Sequence, residues 1–189
     1  MKPYAIAIVG MAGTGKSEIT KHITNKLNIE SIYFGGIVIE EVKARGLEVN
    51  PINENNIRQD LRLKEGMDVM AKRSLPKILE QLEAGNSVLL DSIYSYREYL
   101  TLSEKLGDSL VVIAVHAARY QREERIAVRP VRPMTATELL QRDKNEIETV
   151  EKAGPIAIAD YHLLNDSTLE DLYPEVDQIL EKIIKSNSS

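Results

Sequence analysis

The sequence has 189 residues, of which 43% are hydrophobic and 28% charged, a composition typical of a single globular domain. A net charge of −5 argues against a general nucleic-acid-binding protein, and the lack of cysteine excludes disulfides and thiolate chemistry. No apolar run approaches the ~20 residues that cross a bilayer, and no signal peptide precedes the first predicted strand. We therefore expect a cytoplasmic protein without a membrane or nucleic-acid partner.

The first chemical signal is "GMAGTGKS", residues 10–17, which follows a predicted strand at residues 4–9 and precedes the amphipathic helix "KSEITKHITNKL". Glycines let successive backbone N–H groups face one anion, and the helix N-terminus adds a partial positive charge. The pattern predicts a phosphate-binding loop in which Lys16 reaches the β- and γ-phosphates and Ser17 offers its hydroxyl to Mg²⁺. The predicted nucleotide contacts here are Gly10, Ala12, Gly13, Thr14, Gly15, Lys16, Ser17 and Glu18.

The rest of the chain alternates apolar runs with amphipathic stretches. Further strands are predicted at residues 31–34, 87–91, 109–117 and 160–164. Helices are predicted at residues 37–46, 55–64, 67–83, 97–107, 119–127, 136–152 and 169–184, with a loop at 47–55. Pro76 should kink or split its helix, and Thr135 with Glu138 forms a capping box. Apolar strands separated by helices predict an α/β domain whose parallel sheet has helices on both faces.

The second signal is a carboxylate at the end of a buried strand. "SVLLDS" places Asp91 where an apolar strand ends. In a protein with a phosphate loop upstream, such a carboxylate can hold Mg²⁺ through water. Asp91 is therefore predicted to share the metal with Ser17 and to serve catalysis beside Lys16.

The third signal is a run of arginines at helical spacing. Their planar guanidinium groups are well suited to binding phosphate oxygens. We predict that residues 119–135 form a mobile lid over the nucleotide, with Arg125 and Arg129 as catalytic residues and Arg125 also contacting the nucleotide. The alternative is a solvated face neutralised by Glu123 and Glu124. The arginines of this segment are Arg119, Arg122, Arg125, Arg129 and Arg132, and Arg142 is a weaker candidate on the next helix.

A second basic pair lies in the helix that follows the second strand. Arg58 and Arg62 are four residues apart and share a helical face. They can hold an anionic group of a phosphoryl acceptor, or they can simply pair with nearby carboxylates. The carboxylates available for that pairing are Asp60, Glu65 and Asp68.

Several segments together resemble one family. Beyond "GMAGTGKS", they are "LRLKEGMDVMAKRSLPKI", "HAARYQREER", "QRD" and "IAIADYHLLNDSTLEDL". The chain resembles P-loop kinases of the nucleoside-monophosphate-kinase-like group, most of all dephospho-CoA kinases and archaeal adenylate-kinase-related proteins. The resemblance implies a three-layer P-loop NTPase fold over residues 1–189, with sheet order 2-3-1-4-5, an acceptor-binding insert at 37–84 and a small lid. It also implies ATP as donor, Mg²⁺ as cofactor, a small-molecule acceptor, and Asn165 and Asp166 beside the nucleotide's adenine.

The acceptor side departs from the family pattern. Gly36 stands where such kinases carry Asp, Ile39 where they carry Arg, and Tyr94 where the archaeal relatives carry Arg. The predicted acceptor-binding residues are therefore Gly36, Arg58, Arg62 and Tyr94. This pattern predicts a kinase for a nucleotide- or coenzyme-type acceptor such as dephospho-CoA. The alternatives are an ATP-binding protein whose catalysis is lost and a nucleoside monophosphate kinase.

Overall fold

The computed structural model describes residues 2–187 and contains one parallel five-stranded sheet. The strands are β1 Ala5–Val9, β2 Glu30–Tyr33, β3 Val88–Asp91, β4 Leu110–His116 and β5 Tyr161–Leu164. Central strand β1 pairs with β3 and β4, while β2 pairs with β3 and β5 with β4. The resulting order β2-β3-β1-β4-β5 confirms the predicted topology. All five strands end at one edge of the sheet, where ligands of such folds bind.

Helices cover both faces of the sheet. They are α1 Lys16–Leu27, α2 Gly35–Ala44, α3 Pro51–Glu65, α4 Val69–Glu83, α5 Tyr96–Leu106, α6 Arg119–Ala127, α7 Ala136–Val150, α8 Ala153–Ala157 and α9 Leu169–Ser186. Successive β1 side chains point to opposite faces, so Ala7 joins the core under α2–α5 while Ile8 joins the core under α1 and α9. A small separate cluster joins Ala12 to Ile126 of α6 and Leu139 of α7.

Local boundaries differ from the predictions at a few places. Helix α3 begins at Pro51, inside the predicted loop, because the Asn50 side chain accepts a hydrogen bond from the Asn53 amide and Pro51 suits the first helical position. Of the predicted kink or split at Pro76, the split does not occur: α4 is continuous through Pro76 and packs against the core on both sides of it. Helix α7 ends at Val150 and the short helix α8 follows it, whereas the Thr135–Glu138 capping box is confirmed.

The described part of the chain, residues 2–187, contains no helix long and apolar enough to cross a membrane.

Candidate active site

The loop between β1 and α1 has a backbone that only glycine tolerates at three places. Gly10, Gly13 and Gly15 have positive φ angles of 149°, 83° and 91°. A Cβ at Gly10 would lie 2.5 Å from the Val115 carbonyl oxygen, and one at Gly15 would lie 2.2 Å from the Asn165 amide nitrogen. The loop therefore packs closely against the ends of β4 and β5, and its backbone conformation requires glycine at these three positions.

The lysine of the loop is hydrogen-bonded to the loop itself. Lys16 Nζ donates to the Met11 carbonyl at 2.9 Å, and Thr14 Oγ1 donates to the same oxygen at 3.0 Å. Burial, followed by the charge of Lys152, lowers the pKa of Lys16 to about 7. A partly buried ammonium with only a carbonyl as partner favours the arrival of an anion.

The two predicted magnesium ligands lie at the same edge of the sheet. Asp91 ends β3 directly beside Ile8 of β1, and its charge acts on Lys16. Ser17 is exposed in the first turn of α1, and its hydroxyl has no partner within residues 2–187. Ser92 Oγ donates to the Asp91 carboxylate at 3.0 Å. A free hydroxyl and a carboxylate beside a phosphate loop are oxygen ligands of the kind that Mg²⁺ takes, so these residues fit the ion. Glu18 is also exposed in this turn.

Asn165 and Asp166 connect the glycine loop to α6. The Asn165 side-chain amide donates to the Thr14 carbonyl at 2.9 Å, while its backbone amide donates to the His116 carbonyl at 2.8 Å. The Asp166 carboxylate accepts from the Ala118 amide at 2.8 Å, just before α6 begins. Both residues therefore adjoin the loop and the start of the predicted lid.

Arg122 and Arg119 have structural partners, which the lid prediction did not anticipate. Arg122 is 8% exposed, and its Nε donates to the Ala12 carbonyl at 2.7 Å. Its Nη2 donates to both Asp143 carboxylate oxygens at 2.7 and 2.6 Å, so it joins the glycine loop to α6 and α7. Arg119 pairs on the surface with Glu123, as the solvated-face alternative expected.

The other arginines of the segment lie nearer the site. Arg125 Nη2 is 3.4 Å from the Asn165 side-chain oxygen, and its Nη1 is buried without a partner. Arg129 Nε donates to the Arg132 carbonyl at 2.5 Å, while Arg132 itself pairs with Glu54 of α3 at 3.0 Å. Burial, together with the charges of Arg142 and Arg132, lowers the pKa of Arg129. The segment thus reaches from the glycine loop to the insert.

Arg58 and Arg62 do not pair with the three carboxylates named in the sequence analysis, although the charge of Glu98 acts on Arg62. Both are partly buried, and neither has an ion-pair partner within residues 2–187. Burial lowers the pKa of Arg62, whose Nε is buried and unpartnered. The candidate partners are engaged elsewhere: Asp60 with Arg45 and Lys64, Glu65 with Arg73, and Asp68 with Lys72.

Tyr94 lies among these charges at the acceptor side. Burial, followed by the neighbouring Tyr33, raises the pKa of Tyr94 to about 12, and the charges of Arg142, Glu146 and Arg58 also act on it. Gly36 lies in the first turn of α2, directly after β2. A Cβ added there would meet only a Tyr33 ring carbon, at 4.0 Å. The substitution pattern noted in the sequence therefore leaves open space at Gly36.

Glu98 is a buried acidic residue that sequence analysis missed. It is 0% exposed, and one carboxylate oxygen accepts from the Tyr94 and Ser95 amides at 2.6 and 3.0 Å. Its other oxygen has no partner, and burial raises the pKa of Glu98 to about 7. Glu98 fixes the loop that carries Tyr94. The Ser95-x-x-Glu98 spacing was a readable capping box, but its burial had no signal in the sequence.

A second group of charged residues that the sequence analysis did not identify lies on α7 and in the turn that follows it. Glu146 accepts from Arg142 Nε at 2.8 Å and from Lys152 Nζ at 2.7 Å. Lys152 is 2% exposed, and its ammonium lies 4.8 Å from the centre of the Tyr94 ring. Although burial acts in the other direction, the charges of Lys152 and Arg142 lower the pKa of Glu146.

One property unites the basic residues of this region. Within residues 2–187, the lysines and arginines that are at least partly buried and have no ion-pair partner are Lys16, Arg58, Arg62, Arg125 and Arg129. They surround the end of the sheet where the glycine loop, Asp91 and Tyr94 lie. Within residues 2–187 the unpaired, partly buried side-chain charges of lysine and arginine are thus concentrated at this edge of the sheet.

Comparison with known proteins places the chain in a family. Residues 9–151 match the family model described as an AAA domain. A UPF0200 protein of Hyperthermus butylicus is 37% identical over 94% of this chain and 94% of its own length. The chain belongs to the UPF0200 family. A UPF0200/UPF0201 protein of Archaeoglobus fulgidus is 33% identical over 96% of this chain, which spans 56% of that longer protein.

A solved structure supports the fold of this UPF0200 member. Shikimate kinase from Bacteroides thetaiotaomicron superposes with a TM-score of 0.63 over 96% of this chain and 98% of that one, at 14% identity. At this identity the likeness concerns the fold alone, and it agrees with a P-loop kinase-like architecture.

Proposed function

We propose that this protein is an ATP- and Mg²⁺-dependent kinase that phosphorylates a small anionic acceptor of nucleotide or coenzyme type. The observation that carries the proposal is the set of five partly buried, unpaired basic residues around the glycine loop and Asp91. Partly buried charges without a counter-ion are unfavourable, and a polyanion such as a nucleoside triphosphate neutralises them.

The donor half of the proposed site consists of the glycine loop and the lid. The loop amides and Lys16 bind the β- and γ-phosphates, for which Lys16 exchanges its bond to the Met11 carbonyl. Arg125 and Arg129 neutralise the phosphates from the lid side. Ser17 and Asp91 would hold Mg²⁺, which supplies charge neutralisation across the phosphates when bound.

The acceptor half lies on the insert side, where Arg58 and Arg62 hold the acceptor's anionic group and Tyr94 borders its reactive end. An acceptor hydroxyl oxygen forms the new bond to the γ-phosphorus as the bridging β,γ P–O bond breaks. ADP leaves, and the hydroxyl proton passes to water. The residues act by positioning and by electrostatics, which suffice for this class of reaction.

Dephospho-CoA is the acceptor that the sequence resemblance favours. The open space beside Gly36 suits a bulky acceptor better than a nucleoside monophosphate. Gly36 is helical and its missing Cβ has room, so Gly36→Asp can be made without strain, and it restores the carboxylate of the resembling kinases.

The function is tested by measuring ADP release from Mg-ATP with a panel of acceptors. The panel contains dephospho-CoA, AMP, CMP, dTMP and shikimate, each with wild type, Gly36→Asp and Asp91→Asn. We expect turnover with dephospho-CoA that Gly36→Asp retains or raises and that Asp91→Asn lowers by at least ~100-fold, a barrier change of about 2.7 kcal/mol.

The other outcomes separate the alternatives. Robust turnover of AMP, CMP or dTMP would identify a nucleoside monophosphate kinase. Nucleotide binding without turnover of any acceptor would favour an ATP-binding protein with a regulatory or structural role. Absence of nucleotide binding would contradict the proposal.

A further inference from the structure

Lys152 is a buried lysine that has no role in the proposed nucleotide-binding half or in the proposed acceptor-binding half of the site. Its ammonium is held by Glu146 at 2.7 Å and lies over the Tyr94 ring at 4.8 Å. Glu146 also binds Arg142, so one carboxylate is shared by two cations. Arg142 binds Oε1 of Glu146 and Lys152 binds Oε2, so both oxygens of this partly buried carboxylate are engaged by cations.

The face of α7 that carries this group is turned toward the glycine loop. Asp143 and Glu146 are three residues apart and so lie on one side of the helix. Asp143 binds Arg122, whose Nε is hydrogen-bonded to the Ala12 carbonyl of the loop. Lys152 also exerts the largest effect of any charge on Lys16. Through Glu146, Lys152 is therefore attached to the side of α7 that is linked to the glycine loop.

We propose that Lys152 is a second catalytic lysine, which contacts the phosphoryl group during its transfer between nucleotide and acceptor. The inference rests on the proposed kinase function. In the empty protein Glu146 holds the ammonium in place, with Arg142 beside it. When the phosphoryl group passes from the β,γ-bridging oxygen to the acceptor oxygen, its three equatorial oxygens carry negative charge, which Lys152 and Lys16 neutralise.

The test uses Mg-ADP alone and Mg-ADP with aluminium fluoride, a mimic of the transferring phosphoryl group. Lys152→Met leaves Glu146 paired with Arg142, so no buried charge is orphaned, and thermal unfolding verifies the fold. We expect Lys152→Met to bind Mg-ADP within twofold of wild type but to bind the aluminium fluoride complex at least tenfold more weakly. Lys152→Arg should restore most of this affinity. The matched control is Lys144→Met at an exposed position of α7, which should change neither affinity.

A second readout does not depend on the folding of Lys152→Met. The side-chain NMR signal of Lys152 in wild type, assigned by its absence from the Lys152→Arg spectrum, should move when aluminium fluoride is added to the Mg-ADP complex. A fixed signal, or equal binding of the mimic by Lys152→Met and wild type, would overturn this inference and leave the kinase proposal standing. Failure of wild type to bind Mg-ADP would overturn both.

Discussion

Replacing Lys16 by methionine should abolish tight nucleotide binding while leaving the empty protein at least as stable. Charge-assisted hydrogen bonds to phosphate contribute about 1.5–3 kcal/mol each, so we expect the Kd for Mg-ATP to rise by roughly 100-fold. Burial holds the pKa of Lys16 near 7, which means that its ammonium is unfavourable in the empty protein. Methionine removes that charge and keeps the apolar stem.

The linkage of Lys16 to pH gives the sign of the stability change. Its pKa is lowered in the folded protein, so the folded state binds fewer protons than the unfolded state between pH 7 and 10.5. The loss of stability caused by burying the Lys16 ammonium is therefore fully present below pH 7. Lys16→Met removes this ammonium and should unfold no more readily than wild type at pH 6.5. Lys21→Met, at an exposed position of α1, is the control for both measurements. Equal Mg-ATP affinity of Lys16→Met and wild type by calorimetry would remove the phosphate-loop assignment.

Loss of Arg122 should destabilise the protein more than loss of any other arginine in the same segment. Arg122→Ala leaves the Asp143 carboxylate and the Ala12 carbonyl without their partner. Removing one member of a buried ion pair costs about 3–5 kcal/mol. For a chain of this length we expect the Tm to fall by roughly 10 °C, measured by circular dichroism.

Two comparison variants distinguish the loss of the buried Arg122 ion pair from the effect of removing any arginine of this segment. Arg119→Ala removes an exposed pair with Glu123, which should change stability by no more than ~0.5 kcal/mol. The double variant Arg122→Met with Asp143→Met removes both buried charges and should recover much of the lost stability. If Arg122→Ala and Arg119→Ala melted alike, Arg122 would belong to the solvated face after all.

The features of the fold and site that were predicted from the residues themselves depend on short sequence patterns. The glycine loop and the strand ending at Asp91 depend on short spacings, and the parallel α/β class depends on the alternation of strands and helices. The order of the sheet was predicted from the resemblance to P-loop kinases and not from such spacings. The start of α3 was also local, because Asn50 and Pro51 form a helix-start signal that the loop interpretation passed over.

The parts that sequence missed depend on tertiary contacts between distant residues. Arg122 and Arg125 have the same helical spacing, but Asp143 pairs with Arg122, whereas Arg125 has no carboxylate partner within residues 2–187. Lys152 follows the end of a helix and carries no motif, so only its burial against Tyr94 reveals it. Ion pairing and burial depend on residues that are distant in the chain, so neither can be read from spacing.

A crystal structure with Mg-ADP and aluminium fluoride would test the central claim, that the unpaired basic residues form one site for a nucleotide and its transferring phosphoryl group. We predict that the phosphates occupy the glycine loop, that Lys16 Nζ moves from the Met11 carbonyl to a phosphate oxygen, and that Arg125 and Arg129 contact the phosphates or the fluoride. A complex in which Lys16 stays on the Met11 carbonyl while the nucleotide binds elsewhere would contradict the account.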